Sequence, residues 1–567
     1  MDRFVIEGSH RLSGTLIPGG NKNEVLPAIA ASLLTHEEVI LHNVPRIKDV
    51  EVMLEIIRDL GGEAEFYDDN DLKLCCAGVN RTSLSPELCR KVRASILFAG
   101  PMLARHHEVH LPPPGGDVIG RRRLDTHFLA FQGLGADIDI GDAYHVKAKH
   151  LIGSDVFFDE PSVTATENAI MAAVLGRGET TLRNVACEPH VEGLCRMLAS
   201  MGAHIVGIGS NTLTVHGTGG LHGTEHTIGS DYLEIGSYIG LAATTGSEIR
   251  IENVRLTDMR MIRMIFEKLG IRIIPDGSAI IVPADQEMRI RSDLHNAIPQ
   301  IYDAPWPAYP TDLMSIAITT ATQCEGTVIF FEKMFEGRMF FVDSLVAMGA
   351  QIILCDPHRV VVVGKSQLYG TRLESPDVRA GMSLLIAALT AQGQSTIYNV
   401  RQIDRGYERV DEKLRALGAK IEREHIGQKH APQAQRSSAS RSDEIERPQR
   451  RVANPIGCMI LRQAFQFAAI GIVARIGHDD ASIAHDHARV RIAERRLRQV
   501  LLELFAARRQ YITQSQFRKR CRTHGARCRS TYPRAIGLTT VASPQSSAHR
   551  SSHFFGHQPP MLRRPIR

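Results

Sequence analysis

No stretch of 18 consecutive apolar residues occurs in these 567 residues, which excludes a membrane-spanning helix. The first residues, Met-Asp-Arg-Phe-Val-Ile-Glu, lack the basic and then apolar order of a signal peptide, so export is not expected. Ten cysteines are scattered without regular spacing, which argues against a disulfide framework and fits a reducing cytoplasm. Aromatic residues are scarce, at 5%, with Trp306 the only tryptophan. Three motif-like runs fall away on inspection. Gly364-Lys365-Ser366 ends like a phosphate-binding loop, but Arg359 stands where the leading glycine belongs, so it reads as a strand and a turn. His107-Glu-Val-His110 is one residue short of a metal-binding helix motif and reads as exposed strand polarity. Cys521, His524 and Cys528 lack a known zinc spacing.

The net charge of +5 conceals a division. From Lys429 onward there are 26 basic and 8 acidic residues, and 24 of the basic ones are arginine. The preceding residues carry 41 basic and 54 acidic side chains. Two chemically different segments are joined. In the basic one, 435–443 reads as a linker and 457–476 and 488–509 as possible helices. It suits contact with nucleic acid or an anionic surface, or it is an uninformative extension.

What the acidic segment has is repetition. A helix-like run, then Leu or Met, glycine and a strand-like run recur at Gly61, Gly135, Gly202, Gly270, Gly349 and Gly418. Glycine there is the expected left-handed helix stop. A second phrase recurs as a strand running into a turn: Val39-Ile-Leu-His-Asn-Val44, Thr180 to Val185, Ile249 to Val254, Val328 to Glu332 and Ser395 to Val400. Small-residue apolar helices precede these strands, at 24–35, 93–104, 164–176, 234–246, 311–323 and 379–392. Six units of roughly 70 residues follow, too large for a solenoid and too small for separate domains. Three units per lobe predict a two-lobed α/β (α+β) fold, with the small-residue helices packed in a shared interior. The lobes are expected at 22–230 and at 1–21 with 231–425. A basic, largely disordered extension is expected at 426–567.

In the second unit a strand runs into Leu111-Pro-Pro-Pro-Gly-Gly-Asp117, followed by Arg121, Arg122 and Arg123. Prolines stiffen the approach and glycines free the bend. An acid beside fixed positive charge could hold a multiply anionic substrate and move a proton, or the run could be an exposed turn. Lys22 follows Gly19-Gly20 and precedes a helix, a place that suits a phosphate or carboxylate, or a cap beside a solvated lysine. Arg93, Arg122 and Arg405 come from three units and converge only if the fold brings them together. Asp312, in Tyr309-Pro-Thr-Asp312, precedes a helix and could be a cap.

Together, Gly20-Asn-Lys22-Asn23-Glu-Val-Leu-Pro27, Arg93-Ala-Ser-Ile, Pro114-Gly-Gly-Asp117, Tyr309-Pro-Thr-Asp312 and Ile403-Asp-Arg405-Gly-Tyr-Glu408 resemble the enolpyruvyl transferases that act on UDP-N-acetylglucosamine. The resemblance covers about residues 1–425. It implies phosphoenolpyruvate and UDP-N-acetylglucosamine as substrates, phosphate as a product, and neither metal nor organic cofactor. It implies that Lys22 and Asn23 contact phosphoenolpyruvate. Asp117 would protonate its C3, Asp312 would accept the proton of the sugar 3-hydroxyl, and Arg405 would assist. Arg93, Arg122 and Arg123, Leu124, Asp125, Thr126, Ser162, Val163 and Met334 would bind the nucleotide sugar. Asp49, Arg338, Asp377 and Arg379 would support. Asp117 replaces the family's usual cysteine, so alkylation by fosfomycin is not expected. The uridine-side loop departs from the family pattern: Arg122-Arg-Leu-Asp-Thr126 lacks a proline, and Glu160-Pro161 stands where a lysine is common. A shikimate-pathway relative and a non-catalytic nucleotide-sugar-binding paralogue are the alternatives. The first lacks support because no Asn-Ala-Gly-Thr-Ala stretch occurs.

Overall fold

A computed structural model describes residues 2–117 and 119–425. The arginine-rich extension, with its linker, two helical windows and Cys521–Cys528 run, lies outside the described residues. Six helices are buried on nearly every side. They are α1 (Lys22–Ala31), α2 (Ala99–His106), α3 (Val163–Ala173), α4 (Tyr232–Thr245), α5 (Met314–Ala321) and α6 (Val378–Thr390). Tight 3₁₀ turns lead into α2 from Arg93 and into α5 from Thr311. These are the small-residue runs of the sequence, and small residues let the backbones approach. A methyl group added at Gly236 of α4 would lie 2.6 Å from Leu313 Cδ1. Larger residues there would overpack by about 1–3 kcal/mol.

A second helix per unit is amphipathic and lies outside, as in Lys48–Asp59, which buries Val50, Met53, Leu54 and Ile57. Each outer helix ends at its repeated glycine, and all six glycines have φ between 83° and 108°. That conformation is open to glycine and costly for a residue with a Cβ. The strand-turn phrase has a matching cause. Asn43, Asn184, Asn253 and Asn399 take φ of 54° to 58°, the left-handed turn asparagine tolerates.

Five sheets have four strands and one has three. Each four-stranded sheet contains one parallel pair, such as Thr224–Thr227 beside Glu38–His42, while its other pairings are antiparallel. The three-stranded sheet joins Glu108–Leu111, Tyr144–Lys147 and Asp137–Ile140. The N-terminal strand Asp2–Glu7 lies between Gln394–Tyr398 and Lys420–His425, completing the last unit.

The buried apolar residues form two clusters. One runs from Val25 to Ile228, and the other combines Phe4 to Leu16 with Tyr232 to Ile421. The chain crosses between them twice, side by side: Asn21 N–H donates to Gly229 O at 2.7 Å and Asp231 N–H to Gly19 O at 2.9 Å. No helix among the described residues is long and apolar enough to cross a membrane. Gly364-Lys365-Ser366 ends the strand Arg359–Gly364.

Candidate active site

Four of the buried helices, and the 3₁₀ turns that lead into the other two, begin at one cavity of about 570 Å³ between the two apolar clusters. Their first residues line it: Lys22 and Asn23, Arg93, Val163, Tyr232, Asp312 and Arg379. Helix N-termini present free N–H groups and partial positive charge, so six of them at one place favour an anion. Side chains position three of these starts. Asn21 accepts from Asn23 N at 2.8 Å, Asp231 from Leu233 N at 2.8 Å and Asp377 from Arg379 N at 2.8 Å. Asn21 is therefore the cap of α1, and Lys22 is free for other work. The wall carries nine Lys or Arg side chains against six carboxyls.

Lys22 is not solvated. Its Nζ lies 2.7 Å from Asp49 Oδ2, and Arg405 Nε reaches Asp49 Oδ1 at 2.8 Å. Burial would raise the Asp49 carboxyl, but Lys22 and Arg405 outweigh it and hold it below its usual value. Arg405 also pairs with Asp117 and donates to Gln402 Oε1 at 3.1 Å. Lysine from the first unit, aspartate from the second and arginine from the sixth thus form one linked chain.

Asp117 sits on a loop held at both ends. A Cβ on Gly115 would fall 1.9 Å from Arg90 O, so only glycine fits there. Beyond the bend, Gly337 N–H donates to Ile119 O at 2.9 Å and Arg121 N–H to Glu336 at 3.2 Å. The loop is thereby tied to both halves of the cavity. Arg93 donates to Arg122 O at 2.9 Å, and burial beside Arg122 pushes its guanidinium down to about 10.

Asp312 makes no helix-capping bond. It pairs with Arg338, and Arg379 Nε approaches its other oxygen at 3.2 Å. Burial would raise this carboxyl, but Arg338, Arg379 and Lys22 hold it far below the usual range. The two arginines therefore favour its ionised form near neutral pH.

Lys22, Asn23, Arg93, Asp117, Arg122, Arg123, Ser162, Val163, Asp312, Met334, Arg338, Arg379 and Arg405 all line this cavity. Leu124, Asp125 and Thr126 stand behind it. Asp125 pairs outward with Arg123 at 2.9 Å, and Thr126 is buried on Asp159 at 2.7 Å.

Sequence reasoning missed part of the wall. Glu167 and His190 are buried there, and Glu188 is partly buried beside them. Burial holds Glu167 protonated well above the usual range, pushes Glu188 up to about 6 and His190 down to about 4. Glu167 could have been noticed as a lone charge in an alanine-rich run. Also missed is Glu332, whose carboxyl accepts from Thr311 Oγ1 at 3.0 Å, Met334 N at 3.2 Å and Phe335 N at 3.1 Å. It couples the residue before Asp312 to the loop carrying Met334, just after the strand Gly326–Phe331.

The sequence matches, over residues 6–414, the family described as EPSP synthase (3-phosphoshikimate 1-carboxyvinyltransferase). In fold it is similar to the enolpyruvyl transferase NikO from Streptomyces tendae, with a TM-score of 0.67 and 22% identity over 74% of this chain and 98% of that one. It is likewise similar to EPSP synthase from Acinetobacter baumannii, with a TM-score of 0.59 and 18% identity over 75% and 100% of the two chains. Much higher identity comes from UDP-N-acetylglucosamine 1-carboxyvinyltransferases. That of Bradyrhizobium diazoefficiens is 55% identical, covering 74% of this chain and 98% of its own, and that of Treponema denticola is 54% identical, covering 74% and 99%. The chain belongs to the family of UDP-N-acetylglucosamine 1-carboxyvinyltransferases.

Proposed function

We propose that this chain transfers the enolpyruvyl group of phosphoenolpyruvate to the 3-hydroxyl of UDP-N-acetylglucosamine and releases phosphate, the first committed step of peptidoglycan synthesis. The observation that carries the residue assignments is the linked set Lys22, Asp49, Arg405 and Asp117, with Asp312 between two arginines at the same cavity. In our reading the phosphate and carboxylate of phosphoenolpyruvate bind Lys22 and Arg405, with Asn23 beside them. The phosphate competes with Asp117 for Arg405; released from its ion pair, that carboxyl takes up a solvent proton and delivers it to C3. Asp312 accepts the proton of the sugar hydroxyl as its oxygen attacks C2. The tetrahedral ketal then returns a proton from C3 to the Asp117 carboxylate and expels phosphate. Fixed charges in a closed, water-excluding cavity serve both steps.

The uridine diphosphate is assigned to Arg93, Arg122, Arg123, Ser162, Val163 and the backbone at Met334, with Leu124 to Thr126 backing that wall. Arg338 and Arg379 position Asp312. The lobes are placed at 22–230 and at 1–21 with 231–425, hinged where the two crossings lie. We place the reaction in the cytoplasm, in keeping with the free thiols of the seven described cysteines. Nucleic-acid contact is assigned, on charge alone, to the arginine-rich extension. Phosphate release from phosphoenolpyruvate tests the central reading. It should require UDP-N-acetylglucosamine and should not occur with shikimate 3-phosphate. Release with the latter alone, or with neither, would refute it.

A further inference from the structure

We propose that Glu108, His110 and His145, on the outer face of the three-stranded sheet, bind one divalent transition-metal ion of the zinc type. The register brings them together: His110 lies directly opposite His145, and Glu108 lies two residues before His110 on the same face. Val109 and Val146, which alternate with them, point inward and are fully buried. The backbone therefore holds the three donors in place, rather than the reach of flexible side chains.

The two imidazoles are stacked, with centroids 3.9 Å apart and planes inclined by 14°. Thr82 Oγ1 donates to Glu108 Oε1 at 3.2 Å, which orients the carboxylate as an outer partner orients a metal ligand. The other carboxylate oxygen stands 3.8 Å from His145 Nε2, too far for a hydrogen bond. That nitrogen is buried and has no hydrogen-bond partner among the described residues. Exposed strand polarity does not account for a buried, unpartnered ring nitrogen aimed at a carboxylate; a ligand atom does. One donor atom from each residue lies within 4.8 Å of the others. Donors on tetrahedral zinc stand about 3.4 Å apart, given bonds of ~2.0–2.1 Å, so binding requires the two imidazoles to turn out of their stack until their in-plane lone pairs converge on one ion. Two imidazoles and one carboxylate, with a fourth position for water, are a known zinc ligand set.

The run His107-Glu-Val-His110 thus fails as a helix motif but succeeds as a strand. His107, in a left-handed turn at φ 64°, takes no part. The site lies outside the catalytic cavity, on a strand that ends six residues before Asp117.

The test is metal stoichiometry of the chelator-treated full chain, dialysed against Zn²⁺ and, separately, Co²⁺. The His110→Ala/His145→Ala double variant should bind one ion fewer than the natural chain. Zn²⁺ should raise the unfolding midpoint of the natural chain and leave that of the double variant unmoved. Glu108→Gln, which keeps an acceptor for Thr82, should weaken Co²⁺ binding about tenfold or more. Phosphate release should be unchanged in all variants. Metal bound by residues of the extension is common to every protein and cancels in the difference. Equal stoichiometry and affinity in the natural chain, the double variant and Glu108→Gln would overturn the proposal.

Discussion

Asp117 is paired with Arg405, and Arg405 with Asp49, so an arriving phosphate enters a network already charged and aligned. The proposal that it acts as the acid rests on that position, and two substitutions separate acid from scaffold. Asp117→Ala should lower turnover by at least ~10³-fold, beyond the middle of the usual range for general acids. Asp117→Cys should keep substantial turnover, since a thiol can also carry the proton. Only the cysteine variant should gain the mass of fosfomycin on intact-protein spectra; stoichiometric labelling of Asp117 in the natural chain would contradict the account. Lys22, Asp117, Asp312 and Arg405 are readable as candidates only through the family's motifs taken together; singly each has an ordinary reading as a solvated lysine, a turn, a helix cap or a surface salt bridge. Glu188 and His190 are unreadable in the sequence. They open an outer helix, where a polar residue needs no further explanation, and only the fold shows that both face the cavity, His190 buried and Glu188 partly so.

At the scale of elements, helix starts and turn residues do most of the positioning. The glycine stops and left-handed asparagines are legible because each is a local backbone requirement. Strand partners are not: Thr224–Thr227 joins Val39–His42 across most of a lobe's length, which no local pattern specifies. The same limit hides Glu332, since burial of a carboxyl is a property of the folded molecule. Burial, with Asp303 alongside, holds Glu332 protonated well above its ordinary value of 4.5. Below that value folded and unfolded chains both carry the proton. As pH rises past it the unfolded chain releases the proton while the folded chain keeps it, so stability falls toward alkaline pH. Glu332→Gln cannot release a proton, and its amide can still donate to Asp303. Its stability should match the natural chain near pH 4 and exceed it at pH 8 by on the order of 2 kcal/mol. Parallel pH dependence in urea unfolding of the two proteins would contradict this assignment.

At the scale of the molecule, two apolar clusters joined by paired crossings place six helix starts around one cavity. The sixfold repeat makes the two-lobed arrangement readable, whereas the loop's ties to Gly337 and Glu336 depend on how the two halves meet. No residue assigned to the reaction lies in the extension, so a chain ending at residue 428 should retain full turnover in the phosphate assay. Loss of turnover in a folded truncated chain would give the extension a catalytic part. The reaction in deuterium oxide tests the account most directly. Addition converts the methylene carbon of phosphoenolpyruvate to a methyl group with a solvent-derived proton, and elimination removes one of its three hydrogens. Mass spectrometry should therefore find deuterium in the vinyl group of the product, and Asp117→Ala should form that product at least ~10³-fold more slowly. Product formed at full rate without deuterium would contradict addition and elimination at this cavity.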